Sequence, residues 1–514
     1  MTQFSDSQGF STWRAFFWPI HKRELKKFIP MLLIFFFITF NYNVLRCIKD
    51  TLVVTAKGSG AEVIPFIKVW AMFPLSIFLT WVFIRLTNRF EREKVFLFMI
   101  GGFLIFFFLF AFVFYPQREN MHLHNLANTL SCILPEGCKG LIAMIHYWSF
   151  TIFYAMAELW SNIVFSLLVW GFANQITQLE EANRFYGLFG VGINASGIVA
   201  GQFSIYATTL SQNHPINIAN LDRWGSTLIY LLSMVVIAGV IALGLFLWLT
   251  NKLKNENSAA PSVASTKKPK VKLSLRENIR YLLSSRYILY IVAIIVSYNV
   301  IINLVEVLWK HEVKELYPEP QAFNIYMNQV TTWIGVIATL ASLFFSGNAL
   351  RLLGWTTTAM ITPLILFITS IGFFGFFFLK DSPDIVYSLT GFSPLIIVVF
   401  FGTLQNCLSR AAKYTVFDAT KETAFIPLSL EDKIKGKAAV DGLCNRLGKS
   451  GGSVIYQFLL ITFSTLTASA PYVAVALFSI IGIWVVAVHG LGKQFATISQ
   501  PQEKLTPTPA PVSA

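Results

Sequence analysis

Apolar residues fill most of this chain in long blocks, and short clusters of Lys, Arg, Asn and Pro separate them. A helix needs about 20 mostly apolar residues to cross a bilayer. The pattern predicts twelve such segments, at 28–46, 62–86, 95–115, 141–173, 185–209, 226–250, 287–309, 326–347, 355–379, 394–412, 438–463 and 471–492. The blocks are too long and continuous for barrel strands, and lipid obliges each backbone group to bond within its own segment, so the predicted elements are helices. Six fall on each side of a polar stretch, 251–286. With 55% hydrophobic residues, 13% charged residues and a mean hydropathy of +0.60, the composition excludes an ordinary soluble domain.

The stretch 251–286 carries nine Lys or Arg against Glu256 and Glu277, together with Pro261 and Pro269. It reads as a basic cytoplasmic linker. The segment before residue 28 holds Arg14, Lys22, Arg23, Lys26 and Lys27, and the loop 85–94 holds Arg85, Arg89, Arg92 and Lys94. With alternating spans all three lie on one side, and the positive-inside rule makes that side, and both termini, cytoplasmic. Most of the +14 net charge is thereby topological, so it does not argue for nucleic acid. The chain divides into a cytoplasmic segment 1–27, a six-helix bundle 28–250, the linker 251–286, a second bundle 287–495 and a disordered tail 496–514 rich in proline. No cleavable signal is expected, because the amphipathic N-terminus runs into a full-length span without a small-residue cleavage site.

Several charges sit inside the apolar blocks, where each costs roughly 3 kcal/mol on insertion scales and so marks a candidate functional site. Lys49-Asp50 ends the block that contains Tyr42-Asn43-Val44-Leu45-Arg46. About 256 residues later Tyr298-Asn299-Val300 is followed by Val305-Glu306 in nearly the same relative positions. A second echo joins Gly187-Leu188, Gly192, Asn194, Gly197 and Gln202 to Gly442-Leu443, Gly448, Lys449, Gly452 and Gln457. Two echoes at one offset imply a duplicated architecture, and parallel repeats with a site between them are a transporter plan.

Glu158 lies near the middle of the block 141–173, and the repeat offset carries it to Lys413. Asn406, Arg410 and Lys413 share one helical face. Such a face suits an anion, since Arg offers a bidentate fork and Lys a point charge; a basic helix end is the plainer alternative. Arg446 and Lys449 share another face, beside small residues that serve either close helix packing or close ligand approach. Gly448-Lys449-Ser450 is not a phosphate-binding loop of the strand–helix type, because five residues separate Gly442 from Gly448 and no strand precedes it. Together Arg46, Lys49, Arg410, Lys413, Arg446 and Lys449 give a cation-rich path opposed by Glu158 and Glu306. A multiply charged anion fits, with the carboxylates competing for the cations when the site is empty. Neutralising Glu158 or Glu306 should then impair turnover more than binding.

The five cysteines form no metal or redox motif. Cys132 and Cys138 share the loop 116–140 and could close a small disulfide there. An intramembrane transferase would need an acid/base pair or metal cluster near one membrane face. The seven His do not suggest one: His122 and His124 share a loop and the other five are scattered.

The stretches Tyr42–Arg46 with Lys49–Ala56, Ala61–Phe66, Glu158-Leu159-Trp160, Trp170–Gln175, Asn303–Val307, Lys413-Tyr414, Lys437–Asp441 and Gly448–Gly452 resemble the nucleotide transporter family of obligate intracellular bacteria and plastids, the ATP/ADP translocases. The resemblance covers about 28–495. It implies an all-α membrane protein of twelve helices in two six-helix pseudo-repeats, a major-facilitator-like fold, and exchange of external ATP for internal ADP, with no cofactor and no obligate protein partner. In the family a first-motif Lys, the Glu of Glu-Leu-Trp, the Glu of Val-Glu-Val and a late Lys matter for transport. The first three correspond to Lys49, Glu158 and Glu306. Lys413, Lys437 and Lys449 all lie in matching stretches for the fourth, and the repeat favours Lys449 by pairing it with Asn194. Only about 27 residues precede the first span, so a bacterial inner membrane fits better than a plastid address. Some family members take up other nucleotides with protons, and nothing in the residues reads the base; Tyr186, Phe189, Asn194 and Asn406 are candidates for stacking on it or bonding to it.

Overall fold

The computed structural model describes residues 20–177, 179–218, 221–257, 285–345, 348–428 and 445–499, and the long elements among them are all helices. Helix α1, Leu25–Val54, is followed by α2 (Val63–Arg89), α3 (Arg92–Phe114), α4 (Trp148–Ile176), α5 (Leu179–Asn213) and α6 (Arg223–Asn257). Next in the chain come α7 (Arg286–Leu316), α8 (Pro320–Phe345), α9 (Asn348–Phe378), α10 (Pro394–Ala424), α11 (Asn445–Phe463) and α12 (Leu466–Ser499). Ten of these contain stretches long and apolar enough to cross a membrane, by length and composition.

The two that fall short are α8 and α11. Helix α8 carries Asn324, Asn328, Thr331 and Thr332 where lipid-facing residues would be apolar, and Asn324 and Asn328 are almost completely buried. Its polarity faces protein: Thr208 on α5 donates to Asn324 at 3.5 Å, and Asn324 donates to Thr51 on α1 at 3.2 Å. Helix α11 is described only from Asn445, so residues 438–444 of that expected span lie outside the described residues, as does Lys437.

Charges shift several boundaries from the expected ones. Helix α1 does not stop at residue 46; it continues eight residues to Val54, because Lys49 and Asp50 are buried and paired within the protein. Helix α7 likewise runs to Leu316 through the buried Lys310 and Glu312. The expected span 141–173 is instead two elements, since Tyr147, at φ −96° and ψ 49°, ends a short helix, Lys139–His146, before α4 begins. In α9, Gly354 takes φ +74°, a conformation open to glycine, and separates a short leading turn from the main helix.

Helix α1 lies against α4, α5 and α6, whereas α7 lies against α10, α11 and α12, and among the described residues the most extensive contact joins α5 to α8. Aromatic rings fill the interior, with Phe28, Phe35, Phe107, Phe153 and Trp160 all fully buried. Large apolar side chains such as Phe78, Trp81, Phe98, Ile105 and Ile237 point outward, as a bilayer requires and water would not. Between α3 and α4 lie short helices, Arg118–Met121, His124–Ile133 and Lys139–His146. There the proposed disulfide is not formed: Cys132 is an exposed free thiol and Cys138 a buried one, held in the turn Glu136–Cys138 that packs against α11.

Candidate functional site

Charged residues from each of α1, α2, α4, α7 and α10 meet in one connected network. Its centre is Asp50, whose side chain is fully buried and lies between two ammonium groups: Lys49 Nζ at 3.0 Å from Oδ1 and Lys310 Nζ at 2.8 Å from Oδ2. Removing three charges from water costs several kcal/mol per ion unless they pair closely, and these do. Lys49 also reaches Glu158 Oε2 at 3.4 Å and stands 3.8 Å above the Tyr154 ring. Lys310 returns along its own helix to Glu306 Oε1 at 3.0 Å, four residues earlier.

Glu306 is the second hub. Besides Lys310 it faces Arg410 Nη2 at 3.5 Å and Lys68 Nζ at 3.8 Å, and Lys68 hydrogen-bonds Asn303 Oδ1, one turn away on α7. Arg46, one turn before Lys49 on α1, is buried within electrostatic reach of Tyr42, Glu306 and Asp50. Among the described residues five cations against three carboxylates leave this network two positive charges in excess. Access is graded. Lys49, Asp50 and Lys310 side chains are at most 4% exposed, whereas Lys68, Glu306, Arg410 and Glu158 are 13–19% exposed.

Three of the helices depart from α geometry at the network. Wide π turns occur at Ile67–Met72 in α2, where Lys68 sits, at Trp160–Val169 in α4, beginning two residues after Glu158, and at Lys413–Phe417 in α10, beginning three residues after Arg410. Such turns recur at functional positions because they redirect side chains at little cost elsewhere in the helix.

The structure joins some expected residues and separates others. Arg46, Lys49, Glu158, Glu306 and Arg410 belong to the network. Asn406 is buried one turn before Arg410 and donates its amide to Gly402 O at 2.9 Å. Lys413 lies past it, with its ammonium 5.5 Å from the Tyr414 ring and 5.9 Å from the Tyr298 ring. Asn194 donates to Ser342 Oγ at 3.1 Å and links α5 to α8. The backbones of Arg446 and Lys449 lie in the first turns of α11, and their side chains are outside the described residues. Of the small residues beside them, Gly448 and Gly452 serve packing: a Cβ at either would meet Asn299 Cβ at 2.7 Å or Asn303 Cβ at 3.1 Å on α7.

Phe189 is fully buried, stacked on Phe28 and Phe35 at 5.4 and 4.8 Å, and offers no surface to a base. Phe35 precedes Lys49 by fourteen residues, which is roughly 21 Å along a helix. Tyr186, in the same aromatic group, gives its hydroxyl to Asn174 Oδ1 at 2.6 Å. Tyr42 is better placed, with Glu158, Arg46, Tyr414 and Arg410 as its electrostatic neighbours.

Sequence reasoning left Lys68 and Lys310 without a role and named Asp50 only as a neighbour of Lys49. The signals were present: Lys68 interrupts the apolar block 62–86, and Lys310 follows Glu306 by one helical turn. The histidines regarded as scattered also converge in part, since His146 Nε2 lies 2.8 Å from His124 Nδ1 and the His122 ring is 6.2 Å from that of His146. Among the described residues no three His, Cys, Asp or Glu side chains are set to hold a metal ion.

The sequence profile of the family described as TLC ATP/ADP transporter matches residues 4–495. ADP,ATP carrier protein 1 of Chlamydia muridarum is 41% identical over 505 residues, covering 98% of this chain and 95% of its own. The plastidic ATP/ADP-transporter of Solanum tuberosum is 40% identical over 479 residues, covering 93% and 74%. Among solved structures, a D-xylose-proton symporter aligns with a TM-score of 0.54 at 12% identity over 91% of this chain and 97% of its own. A bacterial homologue of the iron transporter ferroportin, in an inward-facing state, aligns at 0.51 and 14% over 91% and 98%. At those identities the two structures speak for the fold alone.

Proposed function

Because this chain belongs to the TLC ATP/ADP transporter family, we propose that it imports ATP in exchange for ADP through the cation-rich network between α1, α2, α4, α7 and α10. It is a multi-pass membrane transporter and not an enzyme. The observation that carries the substrate reading is the excess of two positive charges in a buried, partly open network, which suits a polyphosphate and would repel a cation or cost a neutral sugar its hydration.

In this reading the twelve long helices form two six-helix pseudo-repeats that rock about the site, with the termini and the basic linker in the cytoplasm of a bacterial cell and the helices in its inner membrane. The arginine forks of Arg46 and Arg410 take phosphate oxygens, with Asn406, Lys413, Arg446 and Lys449 as the further substrate contacts of this reading. Glu306 and Glu158 hold the cations when no anion is present, and Lys49 stays poised between Asp50 and Glu158. Tyr42 and Tyr414 supply aromatic faces near the arginines for the base.

The test is uptake of labelled ATP into liposomes containing the purified protein. Uptake that needs ADP inside supports exchange. Uptake into empty vesicles that follows an imposed proton gradient replaces this reading with nucleotide–proton symport.

A further inference from the structure

The cations of the network differ in how firmly the protein holds them. Lys49 and Lys310 are buried and each touches two carboxylates at 2.8–3.4 Å. Lys68 is held otherwise. Its ionic contact, with Glu306, is the longest in the network at 3.8 Å, its hydrogen bond goes to a neutral amide, Asn303, and its side chain is 14% exposed. Glu306 is already shared with Lys310 and Arg410, so it gives Lys68 only part of its charge.

The helix that carries Lys68 is buried only at its start. Val63–Ile67 are buried, but from Phe73 to Arg89 α2 has no buried residue. Beside Lys68 it packs against α4 and also forms a seam with α11, where Trp70 Nε1 donates to Gln457 Oε1 at 3.2 Å and Gln457 Nε2 to Pro65 O at 2.8 Å. The π turn Ile67–Met72 lies at this seam and aims Lys68 across it at α7.

On the reading of the chain as an ATP/ADP carrier, we infer that Lys68 is a phosphate ligand of the transport site, which leaves Glu306 and Asn303 for the outer phosphates of the nucleotide and thereby uncouples α2 from α7. Anion binding and release of the α2–α7 contact are then one event. A triply or quadruply charged phosphate chain outcompetes a carboxylate that is already divided among three cations. Lys49 and Lys310 keep their carboxylates and position the site.

The experiment measures displacement of labelled ATP from the purified protein by ATP, ADP and AMP, for wild type, Lys68→Gln, Lys68→Arg and Asn303→Ala, alongside exchange in ADP-loaded liposomes. Lys68→Gln should weaken ATP by more than about tenfold, ADP by less and AMP by under about twofold, and Lys68→Arg should restore most of the loss. Asn303→Ala, which keeps the ammonium and removes its neutral partner, should bind ATP at least as tightly as wild type. Equal loss for all three nucleotides in Lys68→Gln, or ATP binding weakened in Asn303→Ala as much as in Lys68→Gln, overturns the inference. Wild-type protein that fails to exchange ATP for ADP at all defeats the carrier reading instead, so the two failures are distinguishable.

Discussion

Asp50 is enclosed so completely that it has no role without its two lysines. Breaking a buried pair from one side leaves an uncompensated charge and typically costs about 3–5 kcal/mol, whereas replacing both partners by apolar groups of similar size can be neutral. Asp50→Asn should therefore lower the melting temperature of the detergent-solubilised protein markedly, and Asp50→Asn combined with Lys310→Met should recover much of the loss. A double variant as unstable as the single one would show that Lys310 has another essential partner. Lys49, Glu158 and Glu306 were legible in the sequence because each is a charge in an apolar block or a repeated motif. Lys310 and Lys68 were not assigned, since their significance is relational: one carboxylate serves three cations from three helices, and only the fold brings α2, α7 and α10 together at Glu306. Phe189 shows the converse. Its aromatic character suggested a base platform, but rings from α1 already cover it.

Among the elements, the segment between α3 and α4 has its own acid–base character. His122 is buried against Ser149, with Nε2 2.9 Å from the hydroxyl, and burial together with the neighbouring His146 and His124 pushes its pKa down to about 4. An unfolded chain would protonate this residue near 6.5 while the folded one resists, so folded stability falls as pH drops from about 6.5 to about 4 and levels off below. Melting curves between pH 7 and pH 4 should show that decline, and His122→Asn should flatten it. An identical pH slope in the variant would assign the effect elsewhere. The same region shows where hydropathy misleads. The block 141–173 looks like one span, but the break at Tyr147 is a backbone event that apolar composition does not report. Boundaries of α1 and α7 were misplaced for the opposite reason, because charges that seemed to end a span are paired inside the protein.

At the scale of the whole molecule, an exchange of ATP for ADP moves about one net negative charge per cycle, worth roughly 2.3 kcal/mol for each 100 mV across the membrane. In ADP-loaded liposomes an imposed potential, positive on the inside, should therefore accelerate ATP uptake and the reverse potential slow it. Insensitivity to potential would mean that a compensating ion travels with the nucleotide. The helical membrane architecture was readable from the apolar blocks. The pairing of α5 with α8 was not, because it joins residues more than a hundred positions apart through Asn194 and Ser342, Gln202 and Thr332, and Thr208 and Asn324.

That pairing bears on how the protein is made. Helix α8 carries asparagines that a bilayer would reject, and their partners, Thr208 on α5 and Thr51 on α1, are synthesised first. When α8 leaves the ribosome its polar face can be sheltered only by helices already in the membrane, so the early part of the chain serves as an assembly platform for the later part. A chain lacking α1 and α5 would present Asn324 and Asn328 to lipid and become a target of membrane quality control rather than an independent half-transporter.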